Sequence, residues 1–279
     1  MIVVTGATGN VGRVLVAALA AAGEPVTAVS RGTPPAATPP GVRHHRADLT
    51  RPETLRPAAH GARALFLLVA GAGADLSPGD LLDVAKAGGV EHLVLLSSQA
   101  AGTRPGSVSH APLRGIEDAV RRSGMAWTIL RPGGFASNAY AWAESARDRR
   151  TVAAPFGDVG LPIVDPADIA EVAAAVLREA DHAGRIYELT GPALTTPRQR
   201  VAILGEALGR PIRFVNQTRA EARAQMVRFM PEPVVDGTLD ILGEPIPAEL
   251  RISPHTEQVL GRAPRAFGDW ARRNVDAFR

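Results

Sequence analysis

A doubly wound α/β fold is what this chain of 279 residues predicts: a parallel sheet with helices on both faces and a smaller C-terminal lobe. Three observations predict it. Short apolar strand signals alternate with helix signals through the first half. The first strand, Ile2–Thr5, runs through Gly6-Ala7-Thr8-Gly9-Asn10-Val11-Gly12 into an apolar-periodic helix. Late in the chain the alternation gives way to proline-punctuated helices. The expected division is a core over 1–150, to which 160–192 returns, and a mainly helical lobe over 193–279.

Each element has its own signal. The helix Asn10–Ala22 stops at Gly23, a natural C-terminal cap. Strand two is Val26–Ser30. Four prolines in Gly32–Gly41 make that crossover a loop. Strand three is Val42–Ala47, followed by a short helix with Thr50 as N-cap and Pro52 in its first turn. Leu65–Val69 is an apolar strand. A helix capped by Asp75 or Ser77 ends at Gly88-Gly89. Strand five is His92–Leu96, closing on Ser97-Ser98. Helix Arg114–Ser123 precedes strand six, Trp127–Leu130, and the turn Arg131-Pro132-Gly133-Gly134. Phe135–Trp142 carries aromatics, and Thr151–Pro162 reads as a loop. Asp165–Ala180 is a strong helix, with Ile169, Val172, Val176 and Leu177 in its apolar stripe. Asp165, just before Pro166, reads as its N-cap, so Asp165 and Asp168 are expected to be structural. Ile186–Leu189 is a late strand and Pro211–Val215 a further candidate; 216–264 is helical.

Composition narrows the function classes. Hydrophobic residues make up 46%, enough for a sizeable core. There is no cysteine, which removes disulfides, thiolate metal sites and cysteine nucleophiles. The net charge is only +3 and the arginines are scattered, so no nucleic-acid surface is expected. No apolar run reaches the roughly 20 residues of a membrane span. Met1 leads straight into a strand with no export signal before it, so the cytoplasm is the expected compartment. No His/Asp/Glu grouping has metal-ligand spacing, and no G-x-S-x-G elbow supports hydrolysis.

The glycine turn carries the clearest chemistry. Gly6 permits a tight turn, Gly9 removes a side chain where a pyrophosphate approaches, and Gly12 lets helix and strand pack closely. Thr8, Asn10 and Val11 complete the loop, and the helix N-terminus adds unpaired amides and partial positive charge. At the end of strand two, where an NAD site wants a carboxylate, stand Ser30-Arg31. A guanidinium and a hydroxyl there fit the adenosine 2′-phosphate, so NADP(H) is expected. Asp48 and Leu49 fall where strand three meets the adenine, and Val69 and Ala70 where strand four runs beside ribose and pyrophosphate.

Thr5-Gly-Ala-Thr-Gly-Asn-Val-Gly12, Arg31, Leu96-Ser-Ser98, Thr128-Ile-Leu-Arg-Pro-Gly-Gly-Phe135 with Asn138, Val164-Asp-Pro-Ala-Asp-Ile-Ala170 and Tyr187-Glu-Leu-Thr-Gly191 together resemble the NmrA-like branch of the atypical short-chain dehydrogenase/reductase superfamily. The resemblance implies a Rossmann core binding NADP(H), with Ser97, Arg114 and Pro132 as further cofactor contacts. It implies either a reductase of quinone-like or other small molecules, or a redox-sensing regulator that catalyses nothing.

The superfamily's Tyr-x-x-x-Lys pair is missing. The matching spacing holds His110 and Arg114, four residues apart. Arg114 suits the ribose hydroxyls, and His110 is the candidate proton donor with Ser98 beside it. Pro112 disfavours helix at Ala111, which places His110 just before the helix. Without the tyrosine, an acceptor that delocalises charge, a quinone or conjugated carbonyl, suits the site better than an isolated ketone. Phe135, Asn138, Tyr140, Phe156 and Phe229 are the candidate lining for a small hydrophobic or aromatic substrate. The alternatives are a non-catalytic NADP sensor and a non-redox isomerase on the same fold. A monomer or homodimer is expected, with no nucleic-acid or membrane partner.

Overall fold

The computed structural model describes residues 1–32, 38–69 and 76–279. Seven parallel strands form the central sheet in the order β3-β2-β1-β4-β5-β6-β8. They are β1 (Ile2–Thr5), β2 (Val26–Ser30), β3 (Val42–Arg46), β4 (Ala64–Leu68), β5 (His92–Leu96), β6 (Ala126–Pro132) and β8 (Arg185–Leu189). The order reverses beside β1, which opens a crevice at the carboxyl ends of β1 and β4.

Helices cover both faces because the inner strands are apolar on both sides. On one face, α1 (Gly12–Ala21) packs Leu15 and Leu19 against Ile169, Val172 and Val176 of α7 (Pro166–Arg178). On the other, the short α2 (Arg56–Ala59), α3 (Pro78–Ala87) and α5 (Ala111–Arg122) bury Ala58, Leu81, Leu82, Ala85, Ile116 and Val120 against Leu65, Leu93 and Ile129. Between β5 and α5 lies α4 (Gln99–Thr103). Asp165 caps α7, its carboxylate accepting from the Ala167 amide at 2.9 Å.

Two expectations change here. Thr50 is not a helix cap: its amide and hydroxyl both donate to Asp48 (3.1 and 2.9 Å), and a 3-10 turn starts instead at Pro52. The Asp48 side chain captures the local donors and bends the chain before the turn. Thr151–Pro162 is not all loop either. Thr151–Pro155 is strand β7, with Val152 and Ala154 buried and Ala153 exposed. It pairs in parallel with β9 (Arg213–Gln217), so its partner lies far off in sequence and leaves no local signature.

The second packing unit is therefore assembled from two stretches of chain. A 3-10 segment (Ala136–Trp142), α6 (Ala143–Arg149) and β7 meet α8 (Pro197–Leu208), β9 and α12 (Phe267–Arg273) around Val152, Leu204, Phe267, Trp270 and Phe278. A smaller cluster joins α9 (Arg219–Met226) to α10 (Glu232–Gly243) through Ala222, Val235 and Leu239. Then α11 (His255–Leu260) returns to the core and packs against α7 and β8. Among the described residues, no helix is long and apolar enough to cross a membrane.

Candidate functional site

Two positions of the turn after β1, Gly6 and Gly12, call for glycine. Gly6 has φ of 63°, in the left-handed region. A Cβ on Gly12 would stand 2.1 Å from the Gly6 carbonyl oxygen and 2.8 Å from the Ala7 Cα. The Thr5 hydroxyl locks the crevice floor, its single proton shared between the Phe66 and Leu68 carbonyls, each at 3.1 Å, while it accepts from the Leu68 amide at 2.8 Å. That clasp between the carboxyl ends of β1 and β4 was not anticipated from sequence, where Thr5 reads as one more β-branched strand residue. Thr8, Gly9 and Asn10 are exposed on the turn, whereas the Val11 side chain is buried in the core. Only the backbone of Val11 is therefore offered to a ligand. The first turn of α1 carries no acid and no side-chain cap, so its positive end is uncompensated. Beside it opens a cavity of about 100 Å³ lined by Asn10, Arg13, Ser137, Asp165, Trp270 and Asn274.

The end of β2 adds an exposed cation. Arg31 is exposed and forms no ion pair with a described residue. Ser30 is buried, its hydroxyl 3.3 Å from the Gly32 carbonyl. Across the rim, the Thr50 amide and then its hydroxyl hold the Asp48 carboxyl below its ordinary value, and the charges of Arg51 and Arg31 add to the effect. Leu49 and Val69 are partly buried against the core. Ala70 lies outside the described residues.

The groups expected to carry catalysis are engaged elsewhere. The Ser98 hydroxyl caps α4, accepting from the Ala100 amide at 3.3 Å. Ser97 donates at 2.6 Å to Glu117, a carboxylate only 1% exposed that also receives Arg131 (2.5 and 2.9 Å) and Arg121 (2.9 Å). Glu117 thus joins β5, β6 and α5. No periodic signal marks it, since an acid on a charged helix reads as solvated surface. Arg114 donates to the carbonyls of Arg104 (3.2 Å) and Ser107 (2.7 Å), which pins the loop before α5. A position holding ribose hydroxyls does not emerge for it.

His110 sits just before α5, which begins at Ala111. Its Nδ1 lies 3.0 Å from the Ser109 hydroxyl and 3.4 Å from that of Ser107. Gly237 of α10 closes over this segment: a Cβ there would meet the Ser109 hydroxyl at 2.4 Å. Burial, then the charge of Arg114, pushes the imidazole below its usual value, so it is neutral at pH 7.

The aromatic candidates divide. Phe135 follows Pro132, the buried last residue of β6, and packs on the core; Asn138 is exposed nearby. Tyr140 belongs to the lobe core instead of an open wall. Its hydroxyl donates to Asn274 (2.5 Å) and its ring meets Trp270 edge-on at 5.1 Å. Phe156 is held at φ of 53°, strained for a non-glycine residue, with its ring where a Cβ on Gly243 would stand at 2.6 Å. Phe229 is 82% exposed and lines no enclosed surface. Among the described residues, no group of acids and histidines could hold a metal ion.

A glycine turn that a single Cβ would fill, an uncapped helix end and an exposed guanidinium fit a phosphorylated dinucleotide. The comparisons agree. A family model described as NAD(P)H-binding matches residues 6–180. The chain is 36% identical over its full length, and 99% of the relative's, to a (4-alkanoyl-5-oxo-2,5-dihydrofuran-3-yl)methyl phosphate reductase of Streptomyces griseus. It is 31% identical, with the same coverage, to an NAD(P)H azoreductase of Xenophilus azovorans. In fold it is similar to the NADPH complex of the quinone oxidoreductase QOR2 of Escherichia coli, with TM-score 0.79, 24% identity and coverage of 98% and 99% of the two chains.

Proposed function

The chain belongs to the NAD(P)H-binding family, and from that premise we propose that it is an NADPH-dependent reductase of the atypical, NmrA-like short-chain dehydrogenase/reductase type, acting on small conjugated carbonyl or quinone-like compounds. The observation that carries the substrate class is the commitment of Ser97, Ser98 and Arg114 within the fold. With no tyrosine to donate a proton, charge arriving on the acceptor has to be spread by the acceptor's own conjugation. The relatives named for reduction of an unsaturated furanone phosphate and of azo compounds support this reading.

The dinucleotide supplies the hydride when bound. Gly6, Thr8, Gly9, Asn10, Val11 and Gly12 would hold its pyrophosphate by backbone amides, and Arg31 its 2′-phosphate. Ser30, Asp48, Leu49, Val69, Ser97 and Pro132 would border the rest of its length, and Phe135, Asn138 and Phe156 the acceptor. The C-terminal lobe, residues 193–279 with the 136–163 stretch, would roof that pocket.

The test is a panel. Purified protein with NADPH should oxidise the cofactor with quinones and enones at least about tenfold faster than with simple ketones, one order of magnitude being 1.4 kcal/mol of barrier. Equal rates with both classes would sink the substrate assignment. A second reading, a dinucleotide sensor without turnover, draws on the same committed side chains. It predicts cofactor binding by fluorescence and no oxidation with any acceptor.

Two substitutions sharpen the assignment. Arg31→Ala should weaken NADPH binding by roughly 10- to 100-fold, the worth of a charge-assisted phosphate contact, and leave NADH unchanged. Loss of both cofactors alike would remove Arg31 from the 2′-phosphate. His110→Ala should change kcat by less than about threefold, because its Nδ1 faces Ser107 and Ser109 under α10. A fall approaching 10²–10⁴-fold would restore it as a general acid.

A further inference from the structure

Arg200 lies in the first turn of α8 and is only 8% exposed. Its guanidinium sits over the Trp142 ring, 5.5 Å from the centroid. Its hydrogen bonding to described residues is one long contact, Nε to the Thr196 carbonyl at 3.4 Å. No described carboxylate pairs with it. The neighbouring Arg198, by contrast, is chelated by Asp158 at 2.8 and 2.9 Å, which uses up the nearby acid. The first turn of α8 carries no acidic residue of its own, so helix dipole and guanidinium add at one place. The two Nη atoms meet no partner among the described residues and are not sealed from solvent. Burial lowers this guanidinium to about 10, which leaves it charged at neutral pH.

An unpaired, largely buried cation is unfavourable unless something completes it. The Trp142 ring gives the guanidinium a cation–π contact at 5.5 Å, and the two Nη atoms remain for a ligand. We propose that Arg200 and Trp142 form a binding site for an oxyanion group: a phosphate, sulfate, sulfonate or carboxylate met in bidentate fashion by the guanidinium edge. Two sources share this chemistry, a free inorganic anion and an anionic substituent on the reducible acceptor.

Sulfate titration against sodium chloride of matched ionic strength tests the site. Wild type should show saturable thermal stabilisation by sulfate, and Arg200→Met a sulfate affinity weaker by about tenfold or more. Equal stabilisation of both proteins would overturn the site, since sulfate strengthens folded states generally. Arg200→Met removes an unpaired buried cation and is expected to fold. If it does not, calorimetry of wild type with inorganic phosphate decides: saturable binding supports the site, and no heat beyond that of chloride overturns it. A second arm compares KM for sulfonated and unsulfonated quinones in wild type and Arg200→Lys. A preference for the sulfonated quinone that falls in the variant assigns the anion to the acceptor; an unchanged ratio assigns the site to a free anion. Only this arm rests on the reductase reading, because the sulfate arm involves no turnover.

Discussion

Gly12→Ala is expected to weaken NADPH binding by roughly 10- to 100-fold and to lower stability by about 1–3 kcal/mol, the usual range for overpacking. The added Cβ would collide with backbone, not with a side chain that can swing aside: it would lie 2.1 Å from the Gly6 oxygen and 2.7 Å from the Gly6 carbonyl carbon. The turn must open or α1 must retreat, and either motion spoils the amide cradle. Gly23→Ala is the control. Gly23, unlike Gly12, has positive φ (79°), but a Cβ there meets nothing within 4 Å. It should lose about 1–2 kcal/mol from backbone strain and bind NADPH as wild type does. Fluorescence titration with thermal melts of both variants separates the cases, and an unaltered Gly12→Ala dissociation constant would refute the cradle.

The second large effect is expected at Glu117. Glu117→Ala should cost about 3–5 kcal/mol, because it strands Arg131 half-buried and leaves the buried Ser97 hydroxyl without its acceptor. Burial alone would raise this carboxyl. Hydrogen bonds from Arg131 and Ser97, with the charges of Arg131 and Arg121, outweigh burial and hold it below its ordinary 4.5. The sign follows from linkage. A depressed acid contributes stability that is fully present above its unfolded value and is lost as pH falls through its folded value. The stability gap between wild type and Glu117→Gln should therefore be widest near neutrality and begin to close below about pH 4.5. Urea melts across that range measure it; a gap that widens on acidification would contradict the network.

The Rossmann core was legible because its signals are local. Buried parallel strands are continuous apolar runs, and the glycine turn and Arg31 each sit at a strand end the alternation locates. Asp165 read correctly as a cap for the same reason. What sequence could not show was who claims each polar group. The His110/Arg114 spacing matched a catalytic pair, yet carbonyls of Arg104 and Ser107 take Arg114, and Glu117 takes Ser97. Those choices depend on loops meeting in space. The β7–β9 pair, joining Thr151 to Arg213, was hidden by the same non-locality.

The arginines that follow α11 have a bearing on how the chain is made. Arg262 and Arg265 both reach the fully buried Asp168 and its neighbour Glu171 on α7, and Arg273 reaches Asp165. These partners lie 91 to 108 residues apart in sequence. At about 5–20 residues per second, a ribosome releases the cations roughly 5–20 s after the acids they neutralise. During that interval, seating α7 on the sheet would bury the Asp168 carboxylate without its arginine partners. The ion pairs that complete α7's seat thus become available only once the arginines some hundred residues later have been made.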